Sequence, residues 1–240
     1  LFDGHKVSCI APCYNELHKI DKVVSRIQAT AIIDEILVID DGSTDGSPQV
    51  AQNLGATVLP PGKTLGVGVA IRKGIEYSLE HNFDIIVVIA GNNKDEPREI
   101  ERLLTPLTRG NYDFVQGSRF MKGGYFGKMP LYRIMATKIH PLIFSIISGK
   151  WVTESTNGFR AFRTSLFKDN RINLWQDWLS KYELEPYLYY KTIRLGYKTT
   201  EVPVTKIYPP KKLGYTKMRP ITGWWSILRP LFLLGTGLRK

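Results

Sequence analysis

Three polar stretches place acids and a base where side chains of that kind could handle phosphate or a heterocycle. They are "APCYNE" (11–16), "DDGSTDGS" (40–47) and "GNNKDEP" (91–97), and each stands at the end of an apolar run. A carboxylate in a turn after a strand can accept hydrogen bonds from the N–H edge of a nucleotide base. Asp41, with Asp40 beside it, is the candidate for that role. Taken singly, the stretches read as a helix cap, a common turn and a solvated loop. Their order, with "LGVGVAIRKG" (65–74) between the second and the third, points instead to one shared site.

The elements that must position these residues alternate along the first half of the chain. "KVSCIA" (6–11), "EILVID" (35–40), "ATVL" (56–59), "DIIVVIA" (84–90) and "YDFVQGS" (112–118) predict strands. Leu17, Ile20, Val23, Val24 and Ile27 recur at helical spacing, and "GVGVAIRKGIEYSLEH" (66–81) and "PREIERLLTPL" (97–107) predict helices. Strands this apolar, separated by helices, imply a parallel sheet covered on both faces. In such a sheet ligands sit beyond the carboxyl ends of the strands, where the three stretches fall. Further on, 130–148 and 182–197 predict helices, 153–167 is mixed, and "TTEVPV" (199–204) predicts an edge strand.

Composition narrows the partners. The chain has 240 residues, 43% hydrophobic and 23% charged, with a net charge of +11. That charge suits phosphates, whether of nucleic acid, lipid headgroups or a diphosphate substrate. No RNA-binding interleaving of aromatics with basic residues and no zinc-finger pattern occurs, so nucleic acid is not expected. Cys9 and Cys13 read as buried thiols of a reducing compartment rather than a disulfide framework. No signal peptide is visible, and no apolar run reaches the roughly 18 residues that a membrane-spanning helix needs.

The motifs together resemble the family 2 glycosyltransferases of the GT-A fold, most closely the polyprenol- and dolichol-phosphate sugar synthases. "PCYNE" is similar to that family's Pro-x-Tyr-Asn-Glu, "VIDDGSTDGS" to its Val-Asp-Asp-Gly-Ser turn, and "LGVGVAIRKGIEYS" to its Gly-x-Gly-x-Ala-x-Arg-x-Gly helix start. "GSRF" (117–120), "TESTNGFRAF" (153–162) and "KKLGYTK" (211–217) resemble further family signatures, with Glu154 where the family has aspartate. The implied fold is a Rossmann-like, mostly parallel central sheet flanked by helices, spanning 1–220. A C-terminal amphipathic elaboration would occupy 221–240.

The resemblance implies that Pro12, Tyr14 and Glu16 surround base and ribose with Asp40 and Asp41. It also implies that Gly66 and Gly68 bring backbone close to the nucleotide and that Arg72 or Lys63 faces its phosphates. The alternative for Arg72 is a solvent-facing helix position. Asn92 and Arg119 are expected at the nucleotide sugar. Arg160 either pairs with Glu154 or meets the acceptor's phosphate. Glu154, Arg160, Lys94 and Lys217 form the expected catalytic set, with Lys211 and Lys212 beside Lys217. Asp177, Glu183 and Glu185 are the remaining candidate acids.

One motif departs from the family. Aligned on Pro97, the positions of its metal-binding Asp-x-Asp-x-Gln are filled by Ala90, Asn92 and Lys94. Alanine cannot coordinate, and a charged lysine cannot bind a metal. Either Asp95, with Asn92 or Glu96, holds Mg²⁺ or Mn²⁺ in a shifted arrangement, or the Lys94 ammonium stands in for the ion.

The implied activity is inverting transfer of a sugar from a nucleotide diphosphate to polyprenyl or dolichyl phosphate. A sugar hydroxyl acceptor and a non-catalytic nucleotide-sugar binder are the alternatives. The implied location is cytoplasmic, peripheral at the inner face of a membrane. "GWWSILRPLFLLGTGLRK" (223–240) would dock there through Trp224, Trp225, Ile227, Leu228, Leu231, Phe232, Leu233 and Leu234 with Arg229, Arg239 and Lys240, broken at Pro230. The same residues could instead complete the core or meet a partner chain.

Overall fold

The computed structural model describes residues 1–60, 65–208 and 220–239. The chain runs β1 (Val7–Cys13), α1 (Ile20–Gln28), β2 (Glu35–Asp40), α2 (Ser47–Asn53), β3 (Thr57–Leu59), α3 (Val67–Glu80) and β4 (Ile85–Val88). It continues through α4 (Ile100–Arg109), β5 (Phe114–Ser118), β6 (Tyr125–Gly127), α5 (Leu131–Ser148) and β7 (Arg160–Arg163). Then come α6 (Leu184–Arg194), β8 (Thr199–Pro203), β9 (Thr205–Ile207) and α7 (Pro220–Gly235).

Seven strands form the central sheet in the order β3-β2-β1-β4-β7-β5-β8. Strand β1 is central to its half: Ile10 lies in register with Leu37 on one side and Val88 on the other, both parallel. Alternation along β1 sorts the core into two layers. Val7, Cys9 and Ala11 face α1 and α4, while Ile10 faces the layer of α3 and α6. Helix α1 buries Ile20, Val23, Val24 and Ile27, the i, i+3, i+4, i+7 set of one face. Each such burial contributes about 1.5–3 kcal/mol.

Strand β7 was not legible as a strand. It enters antiparallel between β4 and β5, with Ala161 opposite both Val87 and Val115. A second sheet pairs β6 with β9 in parallel, and an isolated bridge joins Asp95 to Lys206 on β9. This small sheet brings Lys206 alongside the loop after β4.

The tail differs from expectation in one respect. Pro230 does not break it, because α7 continues through that position and packs against α5 and α6. A proline removes one helical hydrogen bond. Burial of Leu231 and Leu234 in the α6-facing core holds the helix together across the gap. No helix among the described residues is long and apolar enough to cross a membrane.

Candidate active site

A cavity of about 590 Å³ opens at the carboxyl ends of β1, β2 and β4. Pro12, Tyr14 and Glu16 line it from the first motif, Asp41 from the second, and Asn92 and Lys94 from the third. Gly66, Arg160 and the candidate acid Glu185 complete the expected residues that reach it. A groove of similar volume near Trp175, Trp178 and Arg229 holds none of these motifs, though Asp177 and Glu183 line it.

The first two motifs hold each other. Asn15 accepts from the Thr44 amide at 2.8 Å, and the Asn15 amide donates to Ser43 at 2.9 Å. Glu16 pairs with Lys19 at 2.6 Å in a buried contact. The Asp41 carboxylate accepts from the amides of Leu65 and Gly66, at 2.9 and 3.0 Å, and so anchors the entry to α3 at the cavity wall. Asp40 instead closes its own turn, accepting from the Ser43 amide at 3.0 Å, and does not line the cavity.

Three further expectations are corrected. Gly68 approaches protein backbone rather than ligand: a Cβ there would lie 2.3 Å from the Leu179 carbonyl and 2.6 Å from that of Lys181. Arg72 donates to the Leu174 carbonyl at 3.0 Å, half-buried and outside the cavity lining, so it binds chain rather than phosphate. Glu154 pairs with Arg119 at 2.7 Å, not with Arg160. Arg160 lies 3.2 Å from Glu185 and donates to the Asn157 carbonyl at 2.6 Å.

The Arg119–Glu154 pair is buried, and Arg119, expected at the nucleotide sugar, does not line the large cavity but reaches a smaller one between α5 and α7. Arg119 also donates to Tyr208 at 3.1 Å and to Thr156 at 2.9 Å, and Glu154 accepts from the Thr156 amide at 2.8 Å. Burial by itself would raise the Glu154 carboxyl, but Arg119 and these hydrogen bonds hold it below the ordinary carboxylate range. A carboxylate so engaged is a poor proton acceptor, so the pair is structural. It positions the Tyr208 ring, which does line the cavity.

The altered motif builds a cationic wall. The Lys206 ammonium donates to Asp95 at 2.6 Å and to Asn157 at 2.9 Å. Lys94 lies 5.0 Å from the centre of the Tyr208 ring, and the Arg133 guanidinium 5.2 Å from it. Burial, then the charges of Lys206 and Arg133, pull Lys94 down to about 7. Sequence reasoning missed Lys206, Arg133 and Tyr208. No motif carries them, and only their place in the fold brings them here.

A divalent ion does not fit this donor set. No group of three His, Cys, Asp or Glu side chains that could hold a metal occurs among the described residues. Asp95, the expected ligand, is ion-paired to Lys206, and a metal beside it would face Lys94 and Arg133 as well. Lys217, Lys211, Lys212 and Lys63 lie outside the described residues.

A smaller cavity of about 260 Å³ runs between α5 and α7, with Ala136, Ile139 and Leu228 in its wall. It shares Arg133, Thr156, Lys206, Tyr208 and Ile227 with the larger one. His140 lines it too, held between Ser155 at 2.7 Å and the Ile227 carbonyl at 3.2 Å.

The Rossmann-like fold is shared with solved glycosyltransferases. Glucosyl-3-phosphoglycerate synthase from Mycobacterium tuberculosis, in complex with Mn²⁺, UDP-glucose and phosphoglyceric acid, superposes with a TM-score of 0.70 at 21% identity. The match covers 99% of this chain and 82% of that one. The chain belongs to glycosyl transferase family 2, whose family model matches residues 8–171, and it is a glycosyltransferase. Polyprenol monophosphomannose synthase from Mycolicibacterium smegmatis is 28% identical over 87% of this chain and 79% of its own length. Undecaprenyl-phosphate mannosyltransferase from Micrococcus luteus is 29% identical over 89% and 87%, and glycosyltransferase AglJ from Haloferax volcanii 30% over 94% and 71%.

Asp41 gives the first test of the donor side. Asp41→Ala releases the Leu65 and Gly66 amides and removes a carboxylate from the cavity wall. Affinity for the donor nucleotide is expected to fall about 10-fold or more, the usual loss for hydrogen bonds to a charged group. Titration calorimetry with UDP and GDP checks this, and an unchanged dissociation constant would remove Asp41 from the donor site.

Proposed function

We propose that this glycosyltransferase moves a sugar, with inversion, from a nucleoside diphosphate to a polyprenyl phosphate at a membrane surface. The observation that carries the reading is the pair of joined cavities. The larger one has the strand-end motifs for the donor. The apolar one meets it at Arg133, where an acceptor's phosphate would be held while its hydrocarbon lies between α5 and α7.

In the transfer, a phosphate oxygen of the acceptor forms a bond to the anomeric carbon as that carbon's bond to the donor phosphate breaks. The electron pair departs on the nucleoside diphosphate, whose growing charge the cavity's cations stabilise. A phosphate monoester is already largely ionised near neutral pH, so no general base is needed. That agrees with the site, where Glu154 is sealed against Arg119 and Glu185 engages Arg160.

Membrane contact falls to more than the tail. Leu131, Tyr132, Met135 and Ile146 of α5 are exposed, as are Trp225, Leu228 and Phe232 of the neighbouring α7. An apolar surface of this kind favours lipid. Arg229, expected among the lipid-facing cations, instead approaches Glu183 at 3.2 Å.

The test supplies radiolabelled UDP- and GDP-sugars with anionic liposomes carrying polyprenyl phosphate. Label is expected in the organic-solvent extract, with the protein sedimenting with the vesicles. Label appearing instead on soluble hydroxyl acceptors such as phosphoglyceric acid would reject the lipid acceptor.

A further inference from the structure

The loop after β4 and strand β9 converge on one wall of the donor cavity. Family 2 sequences with Asp-x-Asp-x-Gln place metal ligands there, whereas this chain places ammonium groups. We propose that Lys206 and Lys94 together replace the divalent ion at the donor's diphosphate, so that this enzyme binds its donor without a metal. The inference rests on the donor half of the proposed function and is independent of the acceptor.

Lys206 is built as a fixed cation. It lies on β9, which the Asp95–Lys206 bridge joins to the altered motif across 111 positions of sequence. Its ammonium is clamped by Asp95 at 2.6 Å and Asn157 at 2.9 Å, both buried. An ammonium has three donors, and these contacts commit two of them. The group is thereby oriented with one N–H left for a ligand. It lines both cavities.

Lys94 is 8% exposed and leans on the Tyr208 ring, whose hydroxyl Arg119 fixes at 3.1 Å. A ring face attracts a cation without neutralising it. Among the described residues, the cavity lining carries six basic side chains, Lys19, Lys94, Arg133, Arg160, Lys181 and Lys206, against three carboxylates, Glu16, Asp41 and Glu185. Confining such a surplus away from water is unfavourable until an anion arrives. A diphosphate supplies that anion, and two ammonium groups match the charge of one divalent ion. Adding a metal would deepen the surplus.

The competing occupant is a metal seated on Asp95 Oδ2 and Asn92 Oδ1, two buried oxygens without a hydrogen-bond partner among the described residues. Binding experiments separate the two. The full chain is titrated with UDP and GDP by calorimetry, once in excess chelator and once with Mn²⁺. The expected result is one nucleotide binding equally well in both. Lys206→Met should weaken it roughly 30-fold or more, as for truncating one partner of a buried charge contact. Lys206→Arg should retain most of the affinity, and Mn²⁺ should not rescue the methionine variant. Because Lys206→Met strands Asp95 and can unfold the protein, Lys94→Met is the parallel variant. It removes a repulsive charge and should weaken binding while leaving the fold intact. A tenfold or greater gain in wild-type affinity from Mn²⁺, or unchanged affinity in Lys94→Met, overturns the proposal, as does no binding of either nucleotide under both conditions. Metal-independent binding without transfer to polyprenyl phosphate would reject the acceptor reading alone.

Discussion

Arg119→Met is expected to destabilise the protein by about 3–5 kcal/mol, the loss typical of breaking a buried ion pair from one side. Glu154 is fully buried, and its Oε2 lies 2.7 Å from the Arg119 Nε. Without the guanidinium the carboxylate stays in the interior opposite no cation, with only Thr156 to satisfy its other oxygen. The Tyr208 hydroxyl and Thr156 lose their arginine contacts as well. Urea unfolding gives the number. The double variant Arg119→Met, Glu154→Met should recover most of the loss, because stranded charge rather than lost attraction is the main penalty. A single-variant loss below about 1 kcal/mol, the range of exposed pairs, would show that water reaches the pair.

The second large effect comes from one methyl group. Gly68→Ala places a Cβ 2.3 Å from the Leu179 carbonyl oxygen, 2.6 Å from that of Lys181 and 2.8 Å from the Ser180 carbonyl carbon. These are backbone atoms and cannot rotate aside. The same segment is tied to α3 by the Val69 amide, which donates to the Ser180 carbonyl at 3.2 Å. Helix propensity favours alanine by about 1 kcal/mol, but overpacking costs about 1–3 kcal/mol and backbone contacts lie at the upper end. A net loss of about 1–2 kcal/mol in urea is expected. Nucleotide affinity should fall too, since Lys181 and Tyr182 in the displaced segment line the donor cavity. Wild-type affinity and stability together would mean that the segment does not dock on α3 as described.

These two residues mark the boundary between what local sequence determined and what folding decided. The apolar runs at Val7–Ala11, Ile36–Ile39 and Ile85–Val88 are strands because each is buried on both faces, and that composition is visible residue by residue. The polar motif after each run had to fall at a strand end. Hence Pro12, Tyr14, Glu16, Asp41, Asn92 and Lys94 meet in one cavity as expected. The helical spacing of Ile20, Val23, Val24 and Ile27 is equally local.

Partnership is not local. Arg119 and Glu154 are 35 positions apart, and Arg160 reaches Glu185 only because α6 crosses beside β7. From sequence, Arg160 could pair with Glu154 or meet the acceptor's phosphate. In the fold they point into different shells, since β7 runs antiparallel between β4 and β5 and turns Arg160 toward the cavity. Gly68 shows the same limit: its spacing with Gly66 is the same whether a ligand or another segment approaches. Lys206 carries no motif, and its role depends on β9 pairing with β6 and meeting Asp95. Periodicity records which face of an element is buried. The burial of each charge, and the partner that satisfies it, are set only when distant segments close the core.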